Sequence, residues 1–205
     1  EATQVADQRA AAGGGPLLQE VVDGRLSALS VVVDQQGRLL GAVQQWSPRL
    51  SSRLTSCRAV TVPVDPELLD GVRRLLDEMG WWGLANLQFM SAPDGPPRLI
   101  DLNGRFYGSL ALAVGSGVPL PDLWARAALG DDVAPVAPGR VGVRFQSFFE
   151  DVSRARRERR GGLLRDLAST LAHAPGAVHP HADLRDPGPL LAALRERGRR
   201  RGSHD

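Results

Sequence analysis

Two short runs, 85–90 and 98–103, alternate apolar with polar side chains and are separated by Ser91-Ala92-Pro93-Asp94-Gly95-Pro96-Pro97. A period of two is that of a strand with one buried face, and a connection this rich in proline and glycine turns the chain. The pair is therefore read as a hairpin. With its turn centred between Asp94 and Gly95, Gln88 stands opposite Asp101. Leu87 and Phe89 then share a face with Ile100 and Leu102, which is the core side. Gln88, Asp101 and Asn103 are left together on the other face.

The surrounding pattern is that of an α+β chain. An apolar strand at 29–33 meets the turn Asp34-Gln35-Gln36-Gly37, and 39–43 returns as a second hairpin. Asp65-Pro66 opens a helix, with the acid as N-cap and the proline at the first helical position. Leu68, Leu69, Val72, Leu75, Leu76 and Met79 recur at helical spacing along it, and Gly80 closes it. Residues 1–12 read as helix, stopped by Gly13-Gly14-Gly15-Pro16, and 17–22 as an apolar extended segment. Beyond Arg105, helix-like stretches at 108–114 and 121–129 precede a Pro- and Ala-rich linker at 131–139. Residues 152–171 are helical with a break at Gly161-Gly162, and 189–201 form an Arg-rich last helix. No internal repeat is visible.

All 25 basic residues are arginine, so the chain has no lysine. The net charge of +2 is unevenly spread, since residues 151–205 hold 12 Arg against 7 acids. The leucines among them point to a helical extension with a wet outer face rather than to a nucleic-acid site, so no nucleic-acid partner is expected. No apolar run is long enough to span a bilayer, and no membrane association is expected. The single Cys57 excludes an internal disulfide and fits the cytoplasm; it reads as a small buried residue rather than a nucleophile. The chain opens at Glu1 rather than at methionine and reads as a fragment. Trp81 and Trp82 read as packing residues, His179, His181 and Asp183 as an exposed loop, and Arg53 and Arg58 as solvated cations.

One carboxylate and two carboxamides converging from adjacent strands make an all-oxygen patch of the kind that hard cations accept. Arg105, two residues past Asn103, continues the alternation and offers a fixed fork to a phosphate or carboxylate. Spacing alone favours an ordinary solvated hairpin face over a metal site.

The stretch Leu99-Ile100-Asp101-Leu102-Asn103-Gly104-Arg105-Phe106-Tyr107-Gly108-Ser109 resembles the Glu-x-Asn-x-Arg signature of ATP-grasp enzymes. Gly83-Leu84-Ala85-Asn86-Leu87-Gln88-Phe89 is similar to the strand bearing that family's other metal ligand, where the carbamoyl-phosphate synthase branch uses glutamine. Leu18-Gln19-Glu20-Val21-Val22-Asp23-Gly24 resembles its hinge strand. The resemblance implies an ATP-grasp C-terminal lobe at 17–130, an antiparallel sheet with flanking helices, followed by a linker and basic helical extension at 131–205. Residues 1–16 would end a missing upstream lobe. It further implies Mg2+ (or Mn2+) held by Gln88, Asp101 and Asn103, phosphate contact by Arg105, and ATP whose adenine borders Gln19, Glu20 and Val22. The implied partners are a small-molecule carboxylate and a nucleophile such as an amine. The implied reaction activates the acid as an acyl phosphate. Asp101 stands where glutamate is usual and Gly104 where proline is common, and the family's lysine and glycine-rich loop belong to the upstream lobe. A non-catalytic, degenerate nucleotide-binding lobe or an Arg-rich partner-binding module is the competing reading.

Overall fold

A computed structural model describes residues 20–51, 55–92, 95–159, 161–180 and 186–202. The helix and glycine turn expected at 1–16 lie outside the described residues. So do Gln19, Arg53, His181 and Asp183.

Strand β1 (Arg25–Val33) is buried at every position after the first, and so it is covered on both faces. It turns into β2 (Leu39–Leu50) through Asp34, whose Oδ1 accepts from the amides of Gln36 (2.9 Å) and Arg38 (2.8 Å). Gly37 supplies the positive φ of 78° that this turn needs. After β3 (Ser56–Val62) the chain enters α1 (Pro66–Glu78), where the Asp65 carboxylate accepts from the amides of Glu67 (2.9 Å) and Leu68 (3.3 Å). Gly80, at φ 59°, lets the chain leave the helix. Strands β4 (Gly83–Ser91) and β5 (Arg98–Asn103) complete the expected hairpin. Helices α2 (Leu110–Gly115) and α3 (Leu120–Ala128) follow, then β6 (Arg144–Gln146), α4 (Phe148–Glu158), α5 (Leu163–His173) and α6 (Gly188–Gly202).

The six strands form one antiparallel sheet in the order β5-β4-β1-β2-β3-β6. One face packs Leu29, Val31, Leu87 and Phe89 against Val72 and Leu76 of α1. The other packs Val32, Leu40, Val43 and Leu84 against Leu120 and Leu123 of α3. Two strands were not legible in the sequence. The apolar pattern of β3 is interrupted by Arg58, and β6 is only three residues long. β6 also carries the sheet into the segment that the sequence assigns to linker and extension. The irregular stretch before it lies along β2, with the amide of Val136 donating to the Leu40 carbonyl at 2.8 Å.

Three further expectations are corrected. Residues 20–22 form no strand, and Val21 is 92% exposed. Met79 is exposed at the end of α1 rather than part of its buried face. The extension packs only in part through its leucines: Leu163 and Leu167 are half-buried and Leu164 and Leu171 face solvent, while Asp166 and Thr170 are the buried residues of α5.

What the extension buries is charge. Asp151 of α4 accepts from Arg58 Nε (2.6 Å), Gln146 Nε2 (2.8 Å) and Arg154 Nε (3.2 Å). Asp166 accepts both terminal nitrogens of Arg154 at 2.6 and 3.0 Å, and Arg49 approaches both acids at 3.3–3.5 Å. Arg58 is thus a buried partner of Asp151, not a solvated cation. Buried charges persist only when paired this closely.

Candidate functional site

Antiparallel pairing sets cross-strand neighbours side by side on one face, so the register dictates what converges. Gln88 pairs with Asp101 and Asn86 with Asn103, as the hairpin pattern predicts. Residues 93 and 94 of the turn lie outside the described residues. A bulge follows Gln88, where Phe89 opposes Leu99 instead of Ile100. That extra residue displaces Ile100 from the core face expected of it, and its side chain is 45% exposed. The bulge lies on the turn side of the Gln88–Asp101 pair, so the polar set keeps its register.

Extended across the sheet, two transverse rows appear on this face. Gln45, Ala28, Gln88 and Asp101 form one, and Val43, Ser30, Asn86 and Asn103 the next. Asn103 is buried and donates from Nδ2 to Asp101 Oδ2 at 2.6 Å, whereas Asp101 is exposed and Gln88 half-buried. Behind them Asn86 Nδ2 donates to Ser30 Oγ at 2.8 Å, and Ser30 also hydrogen bonds the Tyr107 phenol. Burial pushes that phenol well above its ordinary range. Gln45 and Ser109 bond reciprocally at 3.0 and 3.1 Å. These supporting residues escaped the sequence reading. Their signal was there: polar residues at period two in strands otherwise apolar.

The turn out of β5 is held from both layers. The Trp81 indole occupies the space a Cβ at position 104 would need, and Phe106 meets Trp124 edge-on at 5.5 Å. Between them Arg105 lies past the strand end, so the alternation expected to reach it stops at Asn103. Its guanidinium is exposed and donates to the Phe106 carbonyl at 3.2 Å rather than to Asp101. Glu20 is exposed and accepts from Arg98 Nη1 at 2.5 Å, at the turn end of β5, and Val22 is half-buried. The structure therefore brings Gln88, Asp101 and Asn103 together, sets Arg105 one turn beyond them, and leaves Glu20 at the far end of the same strand.

The other candidates are structural. Cys57 is buried and its thiol is pushed up to about 11, first by burial and then by Asp151. Trp81 packs beneath Gly104, as expected of a packing residue, whereas Trp82 is 44% exposed. Both ring nitrogens of His179 meet backbone carbonyls, of Gln146 (3.0 Å) and Ala174 (3.1 Å), leaving neither for a metal. Among the described residues no helix is long and apolar enough to cross a membrane.

Comparison with solved structures gives the same fold in larger proteins. The biotin carboxylase domain of a thermophilic 2-oxoglutarate carboxylase, bound to bicarbonate, matches with a TM-score of 0.55 at 17% identity, over 69% of this chain and 34% of that one. The Hydrogenobacter thermophilus 2-oxoglutarate carboxylase biotin carboxylase domain, in complex with MgADP, ADP and bicarbonate, gives 0.53 at 18% identity with the same coverage of each chain. Biotin carboxylase from Campylobacter jejuni in a β-γ-ATP complex gives 0.53 at 14%, again over 69% and 34%. The chain thus spans about a third of the length of these structures. No curated protein matches it. A family profile described as ATP-grasp in the biosynthetic pathway with Ter operon matches residues 16–148, well over half of the sequence and the whole of the sheet. The chain belongs to that ATP-grasp family.

Proposed function

We propose that this chain is the metal- and phosphate-binding lobe of an ATP-dependent ligase that joins a carboxylate to an amine or similar nucleophile. The observation that carries the reading is the pairing of Gln88 with Asp101 on one sheet face, with Asn103 beside them. The donor set fits a hard cation: the Asn103–Asp101 hydrogen bond uses one amide hydrogen and one carboxylate oxygen, and leaves each residue a further oxygen. Mg2+, or Mn2+ in its place, would supply charge neutralisation to the polyphosphate when bound. Gln88, Asp101 and Asn103 would hold it, and Arg105, exposed and one turn away, would meet the transferred phosphate.

In that reaction an oxygen of the substrate carboxylate bonds to the γ-phosphorus. The bond from that phosphorus to its bridging oxygen breaks, and ADP departs with the electron pair. The nucleophile then adds to the acyl carbon, loses a proton and expels phosphate. The chain's work is positioning and charge complementarity, not covalent chemistry. Gln19, Glu20 and Val22 would border the adenine, which asks Glu20 to exchange its contact with Arg98. Residues 17–130 form the binding lobe in this reading, and 1–16 end an upstream lobe that brings the lysine and glycine-rich loop. The basic segment is structural in this reading, with its Arg154 neutralised by Asp151 and Asp166 and with Asp151 tied to Arg58 of β3. A cytoplasmic location, a small-molecule acid and no nucleic-acid partner complete the proposal.

The test is Asp101→Asn in the protein with its upstream lobe. Asp101 is the only charged member of the ligand set, and the change keeps its shape. ADP release at saturating ATP is expected to fall by orders of magnitude, with a raised Mg2+ requirement and an unchanged melting temperature. Wild-type Mg2+ dependence in this variant removes the proposed centre.

A further inference from the structure

A cleft of about 680 Å3 opens immediately beyond the Arg105 turn. Its walls include Phe106, Leu110 and Val114 on the lobe side, and Phe149, Pro180 and Ala193 from the segment that follows β6. Large apolar side chains are left facing this space, with Phe106 56% and Val114 49% exposed. Of the lining residues among those described, Glu150 alone is charged. Exposed apolar side chains gathered in one concavity mark a binding surface. The volume falls within the roughly 300–1,000 Å3 typical of small-molecule sites.

We infer that this cleft takes the apolar tail of the acid substrate, an aromatic or branched aliphatic group, and that the C-terminal segment contributes half of the specificity pocket. Charge and chain order set the direction of the ligand. Arg105, next in sequence to the lining residue Phe106, holds an exposed cationic fork beside the cleft, so the carboxylate lies there and the hydrocarbon runs inward between Val114 and Phe149. A strongly polar or dianionic acid would meet apolar walls and the Glu150 carboxylate. This assignment rests on the ligase reading for its reaction, but the cleft's preference for an apolar group stands on its lining, and that for an anionic end on Arg105 beside it.

Two measurements on the protein with its upstream lobe separate these. The first is titration with 8-anilinonaphthalene-1-sulfonate, an aromatic body with one anionic group, without ATP. Wild type is expected to bind it in the cleft, and Ala193→Phe, which fills the space from α6, to weaken binding at least tenfold. Val114→Asp, at an exposed position, is expected to do the same, with melting temperatures of both variants held at the wild-type value. The second is ATP-dependent hydroxamate formation with hydroxylamine, which captures an activated acyl group. Phenylacetate is expected to give at least ten times the rate of acetate or glutarate, and Ala193→Phe to abolish that advantage through KM. Equal dye binding in all three proteins, or a preference for acetate or glutarate, overturns the inference. So does a dimer that Ala193→Phe dissociates, because the cleft would then be filled by a second copy. Hydroxamate from no acid sinks the ligase reading instead, while the dye titration still decides the cleft.

Discussion

A methyl group at position 104 would enter the indole of Trp81, so the residue joining Asn103 to Arg105 can carry no side chain while that ring stays in place. The proline common at this point of the family motif is excluded for the same reason. Gly104→Ala is expected to lower stability by about 1–3 kcal/mol as the ring is forced to move. In a Trp81→Phe background the cost should be smaller, and urea unfolding of the four proteins measures the difference; equal costs in both backgrounds would show that the ring is not the obstacle. The sequence exposed Gly104 as a departure from the motif but not its cause, because Trp81 comes from the far end of β4's approach and no local pattern links the two. Gln88, Asp101 and Asn103 were legible for the opposite reason: their proximity follows from strand periodicity and one turn. The alternation expected to reach Arg105 failed at the same scale, since it holds only while the strand lasts.

At the scale of elements, α1 was readable because its caps and its apolar spacing agree, each satisfying a local requirement of the backbone. Helices α4 and α5 were located by their glycine break, yet their burial was only partly anticipated. Leucine periodicity identifies an apolar face but not whether anything covers it, and the Arg58–Asp151 pair that does anchor them joins residues 93 apart. Asp151→Ala is expected to cost about 3–5 kcal/mol, because Arg58 and Arg154 would stay buried without their shared acceptor; a loss below 1 kcal/mol in chemical denaturation would contradict the pairing. The same seam predicts acid sensitivity. Burial raises the Asp151 carboxyl, but hydrogen bonds from Gln146 and Arg58 outweigh it, so its folded pKa lies below the ordinary 3.8. Burial first, then Arg58 and Arg144, depresses His173 below 6.5. Both groups are held with fewer protons in the folded state than in the unfolded chain. Their stabilisation is therefore full above about pH 6.5 and declines as pH falls, first through His173 and then, below about pH 4, through Asp151. Melting temperature against pH should show the first decline vanish in His173→Gln; a flat profile above about pH 5 would count against it.

The whole molecule places its candidate ligands at one margin. The sheet's central strand is covered on both faces, whereas β5, which bears Asp101 and Asn103, pairs only with β4 among the described residues and leaves Leu99 and Ile100 exposed. The overall arrangement was only partly readable beforehand, because strands such as β6 exist through their neighbours rather than through any pattern of their own. An edge strand of six residues has a further consequence. Its amides can exchange with solvent by fraying away from β4, at a free energy well below that of global unfolding, while β1 exchanges only when the sheet is lost. A cation bridging Asp101 and Asn103 to Gln88 would staple that margin to the interior. Mg-ATP should therefore slow deuterium uptake in β5 selectively, and Asp101→Asn should return it to the unliganded rate, so that the fluttering of one strand becomes the gauge of whether the site is filled.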